Sequence, residues 1–151
     1  MTYADAQDRD ANRQIINSYS AFKTVKTLVF DGTAGRGAIG ALSLYNVTGM
    51  VCMDIYAHCT DSLLSATGVI SVGNNSNSAQ FIDGQSASFI DAGHIVQAGI
   101  SATQIVDLHN NPIMTTSSVT GDVSLEAITA GTLVFYCLWR PISQDGSVVA
   151  V

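Results

Sequence analysis

Hydrophobic and polar positions change rhythm once along this chain, near residue 23. Before it, residues 1–14 are charged and polar, and Ile15, Tyr19 and Phe22 then recur at helical spacing with Ile16 beside them. That spacing predicts a short amphipathic helix, or an arm that docks on something. After it, Thr, Val, Ile, Ser and Gly dominate, and turn residues return every eight to twelve positions. Strands are predicted near 24–30, 41–47, 50–58, 66–72, 80–82, 87–91, 94–97, 103–108, 113–119, 122–128 and 132–140. Turns are predicted at 31-DGTAGRG-37, 73-GNNSNS-78, 83-DG-84, 92-AG-93, 109-HNNP-112, 121-GD-122 and 145-DG-146.

Many short strands at this spacing predict an all-β fold, an antiparallel β-sandwich of the jelly-roll kind. The sandwich is expected over 23–151, behind an N-terminal arm over 1–22. No helical pattern of ordinary length alternates with the strands, so βαβ units are not expected. The run 133-LVFYCLW-139 is apolar at every position, so its strand is central or lies at a subunit interface. By contrast 122-DVSLEAI-128 alternates, and places Val123, Leu125 and Ala127 inward.

One stretch tests this all-β reading. In 28-LVFDGTAGRGAIGALSLYNVTGMVCMDI-55, Gly35, Gly37 and Gly40 stand in G-x-G-x-x-G register, and Asp54 follows Gly35 by 19 residues. A dinucleotide site also needs a helix directly after the last glycine, to hold the pyrophosphate and return the chain to a parallel strand. Only eight residues separate Gly40 from Gly49, and Leu42 and Leu44 alternate with Ser43 and Tyr45 in period two. The expectation is a Gly-rich connection between strands and no cofactor.

The 151 residues suit one domain, and 47% apolar composition suits a packed core. Only 12% are charged. Residues 1–36 hold five bases against four acids, a net of +1. Residues 37–151 hold Arg140 against eight acids, a net of −7, and the two sum to −6. An acidic body repels phosphate, so no nucleic-acid partner is expected. The first residues lack a signal-peptide core and no apolar run would span a bilayer, so no membrane partner is expected. Three cysteines (Cys52, Cys59, Cys137) without framework spacing predict free, mostly buried thiols in a reduced compartment.

Chemistry-bearing residues are sparse. Cys52, Asp54, His58, Cys59 and Asp61 fall close together, but on a strand Cys59 faces away from Cys52, Asp54 and His58, so no metal site is expected. Cys59 and His58 are sequence neighbours and point apart, and no nucleophile elbow is present. Glu126 is the one glutamate, and Asp31, Asp83, Asp122 and Asp145 adjoin glycine, as turn residues do. No enzyme is expected. Arg140 is expected to pair with one of the body's acids, or to serve an interface.

Two stretches carry a resemblance. The run 131-GTLVFYCLWRPISQDGSVV-149 has a T-x-x-FY-x-x-W-x-P-x-S-x-D pattern. The run 37-GAIGALSLYNVTGMVCMDIYAHCTDSLLSATGVISVG-73 carries Gly-Ala-Ile-Gly, then Val-Thr-Gly before a strand, a Cys-Thr-Asp turn and a second strand ending in Val-Gly. Both resemble tailed-bacteriophage head decoration (capsid cement) proteins, and they cover under half the chain. The resemblance implies a virion structural protein, made in the bacterial host cytoplasm and bound to the outer surface of the head. Its partners would be the major capsid protein and itself, with a trimer favoured over a dimer because many decoration proteins sit at local three-fold axes. The residues expected to meet the shell or a neighbouring subunit are Arg9, Arg13, Ile15, Ile16, Tyr19 and Phe22. The alternative is a carbohydrate- or receptor-binding β-sandwich module of a phage fiber or spike.

Overall fold

A computed structural model describes residues 22–97, 100–102 and 112–151. Within them run β1 (Phe22–Val29), β2 (Gly40–Thr48), β3 (Val51–Leu64), β4 (Val69–Asn74), β5 (Asn77–Ser86), β6 (Ile95–Gln97), β7 (Ile100–Ala102), β8 (Ile113–Thr115), β9 (Val119–Ser124), β10 (Ala130–Pro141) and β11 (Ser147–Ala150). A 3₁₀ turn, Ala87–Phe89, follows β5. The strands form two antiparallel sheets packed face to face. The larger has the order β1-β10-β3-β6-β7, with β8 also pairing with β3; the smaller has the order β11-β2-β9-β4-β5. The protein is an all-β sandwich.

Period-two alternation explains which side chains meet between the sheets. On β3, Met53, Ile55, Ala57 and Cys59 are buried, while Cys52, Asp54, Tyr56 and His58 face outward and are half-buried. On β10, Leu133, Phe135 and Cys137 are buried, and Val134, Tyr136 and Leu138 take the outer side. Leu42, Leu44, Tyr45, Ile70, Val72, Val119 and Val123 close the core from the smaller sheet.

Tyr45 departs from the expected period. Leu44 and Tyr45 are both buried, and the β2–β9 register shifts between Ser43 and Tyr45. This is a β-bulge, where an extra residue resets which side faces in. The bulge sends the Tyr45 ring into the core, and its hydroxyl donates to the main-chain oxygens of Phe135 (2.8 Å) and Thr24 (3.2 Å) in the opposite sheet. Burial pushes the Tyr45 hydroxyl well above the usual phenol range. Trp139 adds a second tie between the sheets. Its indole N–H donates to Thr24 Oγ1 (2.9 Å), whose own hydroxyl donates to the Val148 carbonyl (3.2 Å) on β11.

Several sequence expectations are corrected. Asp83-Gly84 lies inside β5 and Gly121-Asp122 inside β9. The turn expected at 121-GD-122 lies instead at 116–118, splitting the expected 113–119 strand. Gly121 serves close packing: a Cβ there would stand 3.1 Å from Leu42 Cδ1. The 122–128 strand ends at Ser124, and Leu125, expected inward, has φ 70° and is 72% exposed. The 87–91 strand begins as the 3₁₀ turn. Cys59-Thr60-Asp61 is strand, because β3 runs on to Leu64. The 103–108 strand and the 109–111 part of its turn lie outside the described residues.

Leu125 occupies the left-handed region, which costs a side chain with a Cβ roughly 1 kcal/mol. Leu125→Gly should therefore raise the thermal midpoint by a few degrees. An unchanged or lower midpoint in a melting curve would show that the exposed leucine contributes contacts that offset its strain.

Candidate functional site

The outer side of the larger sheet carries half-buried apolar and aromatic side chains among polar ones. Register builds it in rows across β1, β10 and β3. Val25, Tyr136 and Tyr56 form one row; Lys23, Leu138 and Asp54 flank it on one side, and Thr27, Val134 and His58 on the other. Arg140, Cys52 and Met114 continue the face toward β8, with Met114 66% exposed. Tyr56 and Tyr136 stack with ring centroids 5.0 Å apart, and the Lys23 ammonium lies 5.8 Å from the Tyr136 ring centre. Burial, with Tyr136 alongside, pushes the Tyr56 hydroxyl above its ordinary range. Large exposed apolar patches mark interaction sites in soluble proteins.

β10 was expected to be central or interfacial. It lies between β1 and β3, and its outer side chains form the middle of this face. Arg140, expected to pair with an acid, is exposed at the rim, and no acid among the described residues lies within ion-pair distance of it.

Of the residues expected to contact a partner, Arg9, Arg13, Ile15, Ile16 and Tyr19 lie outside the described residues. Phe22 begins β1 opposite Trp139 and is 60% exposed. Its ring packs on the Trp139 indole with centroids 4.9 Å apart.

The glycine fingerprint resolves into a connection between sheets. β1 and β2 belong to different sheets, and the loop between them turns on Gly32, Gly35 and Gly37, all with positive φ. Asp31 anchors the loop: its Oδ1 accepts from the Thr33 N–H (2.9 Å) and hydroxyl (2.5 Å), and Oδ2 pairs with Arg36 at 3.2 Å. Gly40 opens β2, so strand and not helix follows the last glycine.

Below the loop lies a groove of about 390 Å³, lined by Lys26, Gly35, Arg36, Ser43 and Val151 among others. Its cations are already engaged. Lys26 Nζ donates to the Val151 main-chain oxygen, and Arg36 pairs with the Asp31 carboxylate. On β3, Cys59 points into the core and away from Cys52, Asp54 and His58, and among the described residues no three metal-binding side chains converge.

All three cysteines are free. Burial pushes the Cys59 thiol up, with Asp91 and Asp61 adding to the effect, and it pushes the Cys137 thiol up to about 12. Only thiolate reacts readily. At mildly alkaline pH, DTNB should therefore titrate one thiol per native chain, the half-buried Cys52, and all three in guanidinium. Prompt reaction of two or three native thiols would contradict this packing.

Two exposed carboxylates hold loops in place. Glu126 Oε1 accepts from the Thr67 N–H (2.9 Å) and hydroxyl (2.7 Å), as Asp31 does from Thr33. These hydrogen bonds hold both carboxyls below their usual range. A depressed folded pKa stabilises above the unfolded pKa, and that stability is lost as pH falls through the folded value. The thermal midpoint should therefore fall as pH drops from about 5 toward about 3. Glu126→Gln should make the fall shallower, which melts over that pH range would check.

No protein-family model matches this chain, and no curated protein or solved structure matches it either.

Proposed function

We propose that this chain is a virion structural protein, a head decoration (cement) protein that binds the assembled capsid shell from outside and stabilises it. The observation that carries the reading is the broad outer face of the larger sheet, with apolar residues along β1, β10 and β3. A face of this kind suits attachment to another protein better than turnover of a small molecule, whose sites are concave. The resemblance of 37–73 and 131–149 to decoration proteins supplies the class of partner, a major capsid protein, and the place, the outer surface of the head.

We read the winding as a jelly roll. β1, β10, β3 and β6 are consecutive in one sheet, and β2, β9, β4 and β5 in the other. This is the order that two interlocked Greek keys produce, and jelly rolls serve in viral capsids and in lectins. The lectin association keeps the second reading, a carbohydrate- or receptor-binding module of a fiber or spike. The stacked tyrosines Tyr56 and Tyr136 favour it, as aromatic rings on an outer face. Their rings stack on each other, however, and both are only half-exposed.

Micrographs of heads assembled with and without this chain test the choice. Added density over the shell is expected for a decoration protein. Bare heads, with the chain on tail fibers or bound to glycans, would overturn it.

A further inference from the structure

We infer that β1 is an open sheet edge along which two copies of this chain pair antiparallel, about a two-fold axis at Val25, so that the larger sheet continues from one copy into the other. The inference goes beyond the decoration reading and does not depend on it.

β1 ends the larger sheet, and among the described residues it pairs with β10 alone. The other edge strands offer little to a further strand. β7 has three residues and β11 four, and two register shifts break β5. β1 runs for eight residues without a register shift. The Phe30 N–H donates to the Gly131 carbonyl at 2.9 Å, which continues the β1–β10 register and makes the even-numbered residues of β1 the hydrogen-bonded ones. The N–H and C=O groups of Lys23, Val25 and Thr27 therefore point away from β10, and all three residues are exposed. Arg36 Nε donates to the Val29 carbonyl at 3.2 Å and closes the edge at that end. An open edge of this kind is a template for another strand.

The sequence of β1 fits a second copy of itself. Two antiparallel copies centred on Val25 set Val25 against Val25, Lys23 against Thr27 and Thr24 against Lys26. No lysine meets a lysine, whereas a centre one residue further on would oppose Lys26 to itself. Val25 with Val25, and Lys23 with Thr27 on each side of the axis, make three outward-facing pairs; at two bonds each they supply six backbone hydrogen bonds. The axis stands perpendicular to the sheet, so both outer sides face the same way. The row of Tyr56, Tyr136 and Val25 in one copy then runs on into Val25, Tyr136 and Tyr56 of the other. This is an isologous contact, which a two-fold axis closes, so the trimer implied by the resemblance would need a second surface. One strand edge is narrower than a standard interface, and the pair should form only at about 100 μM to 1 mM.

Sedimentation equilibrium of the full chain, from about 10 μM to about 1 mM, tests the pairing. The native chain is expected to pass from the mass of one chain to that of two. Proline at position 25 costs β1 no ladder bond, because the Val25 N–H faces outward, but it removes a donor at the axis and sets its ring in the partner's path. Val25→Pro should therefore melt within a few degrees of the native chain and keep the mass of one chain throughout. Val25→Lys, which opposes two ammonium groups at the axis, takes its place should the proline variant fail to fold. Thr27→Glu reads the register: its carboxylate would face the partner's Lys23 twice per pair, so pairing should tighten roughly several-fold. A native mass of one chain at every concentration, a mass of three, a folded Val25→Pro chain that still pairs, or weaker pairing by Thr27→Glu would each overturn the inference. Pairing by a chain that fails to bind heads would leave it standing and overturn the decoration reading.

Discussion

Gly37→Ala should melt roughly ten degrees or more early, while Gly35→Ala, two residues earlier in the same loop, should melt only a few degrees early. Gly37 has φ 115°, and a Cβ built there would stand 2.1 Å from the Ile128 carbonyl oxygen and 3.1 Å from Phe30 Cδ1. The backbone cannot move away easily, because the Gly37 carbonyl accepts the Ile128 N–H at 2.8 Å and Ile128 is fully buried. An alanine must therefore either break that contact or displace a core residue. Left-handed strain and a lost buried hydrogen bond together cost at least ~3 kcal/mol. Total stabilities are about 5–15 kcal/mol. Gly35 also has positive φ, 74°, but nothing lies within 4 Å of its would-be Cβ. Its alanine variant bears only the conformational cost, roughly 1–2 kcal/mol. Soluble expression and thermal melting of the two variants make the comparison. Equal tolerance at both positions would show that the 31–37 loop does not pack on Ile128 as described.

Leu138→Glu should separate assembly from folding. Leu138 lies on the outer side of β10, half-buried, between Lys23 and Asp54. A glutamate there can reach water in the single chain, so the melting midpoint should shift by less than about 1 kcal/mol in equivalent stability. Against the shell a carboxylate at this place would be stripped of water with no partner, so binding to heads should be lost. Phe135→Ala provides the contrast. It lies three residues earlier and faces the core, fully buried, so truncation should cost about 3–5 kcal/mol. If Leu138→Glu melted as early as Phe135→Ala, the outer face would be part of the folding core and not a surface for partners.

The alternation of 133–139 and 52–59 was legible because period two is a local property of the chain. It correctly put Phe135 and Cys137 on the side opposite Tyr136, and Cys59 on the side opposite Cys52, though Cys52, expected mostly buried, is only half-buried. The Gly-rich loop was legible too, since no helix-forming segment of useful length follows Gly40. Turn propensity failed where neighbouring strands outweighed it. Gly121-Asp122 has turn composition but pairs across its sheet, Gly121 with Leu42 and Val72 and Asp122 with Ala41 and Ser71, whereas Asp83-Gly84 falls at the register shift between the Ile70–Gln85 and Val72–Ile82 pairs. The bulge that buries Tyr45 could not be seen, because a bulge is defined by the partner strand β9, some 75 residues away in sequence. The candidate surface was half visible. The doubly apolar β10 pointed to an interface, but the rows joining it to Val25 and Tyr56 are long-range register, which no local pattern encodes. The residues that sequence favoured for partner contact, Arg9 to Tyr19, lie outside the described residues, and Phe22 pairs within the sheet.

Attachment to heads tests the central claim, that the outer side of the larger sheet meets a partner, most directly. Mixed with bare heads, the native chain should co-sediment with them, while the folded Leu138→Glu chain should stay in the supernatant. Co-sedimentation of both chains alike would contradict it.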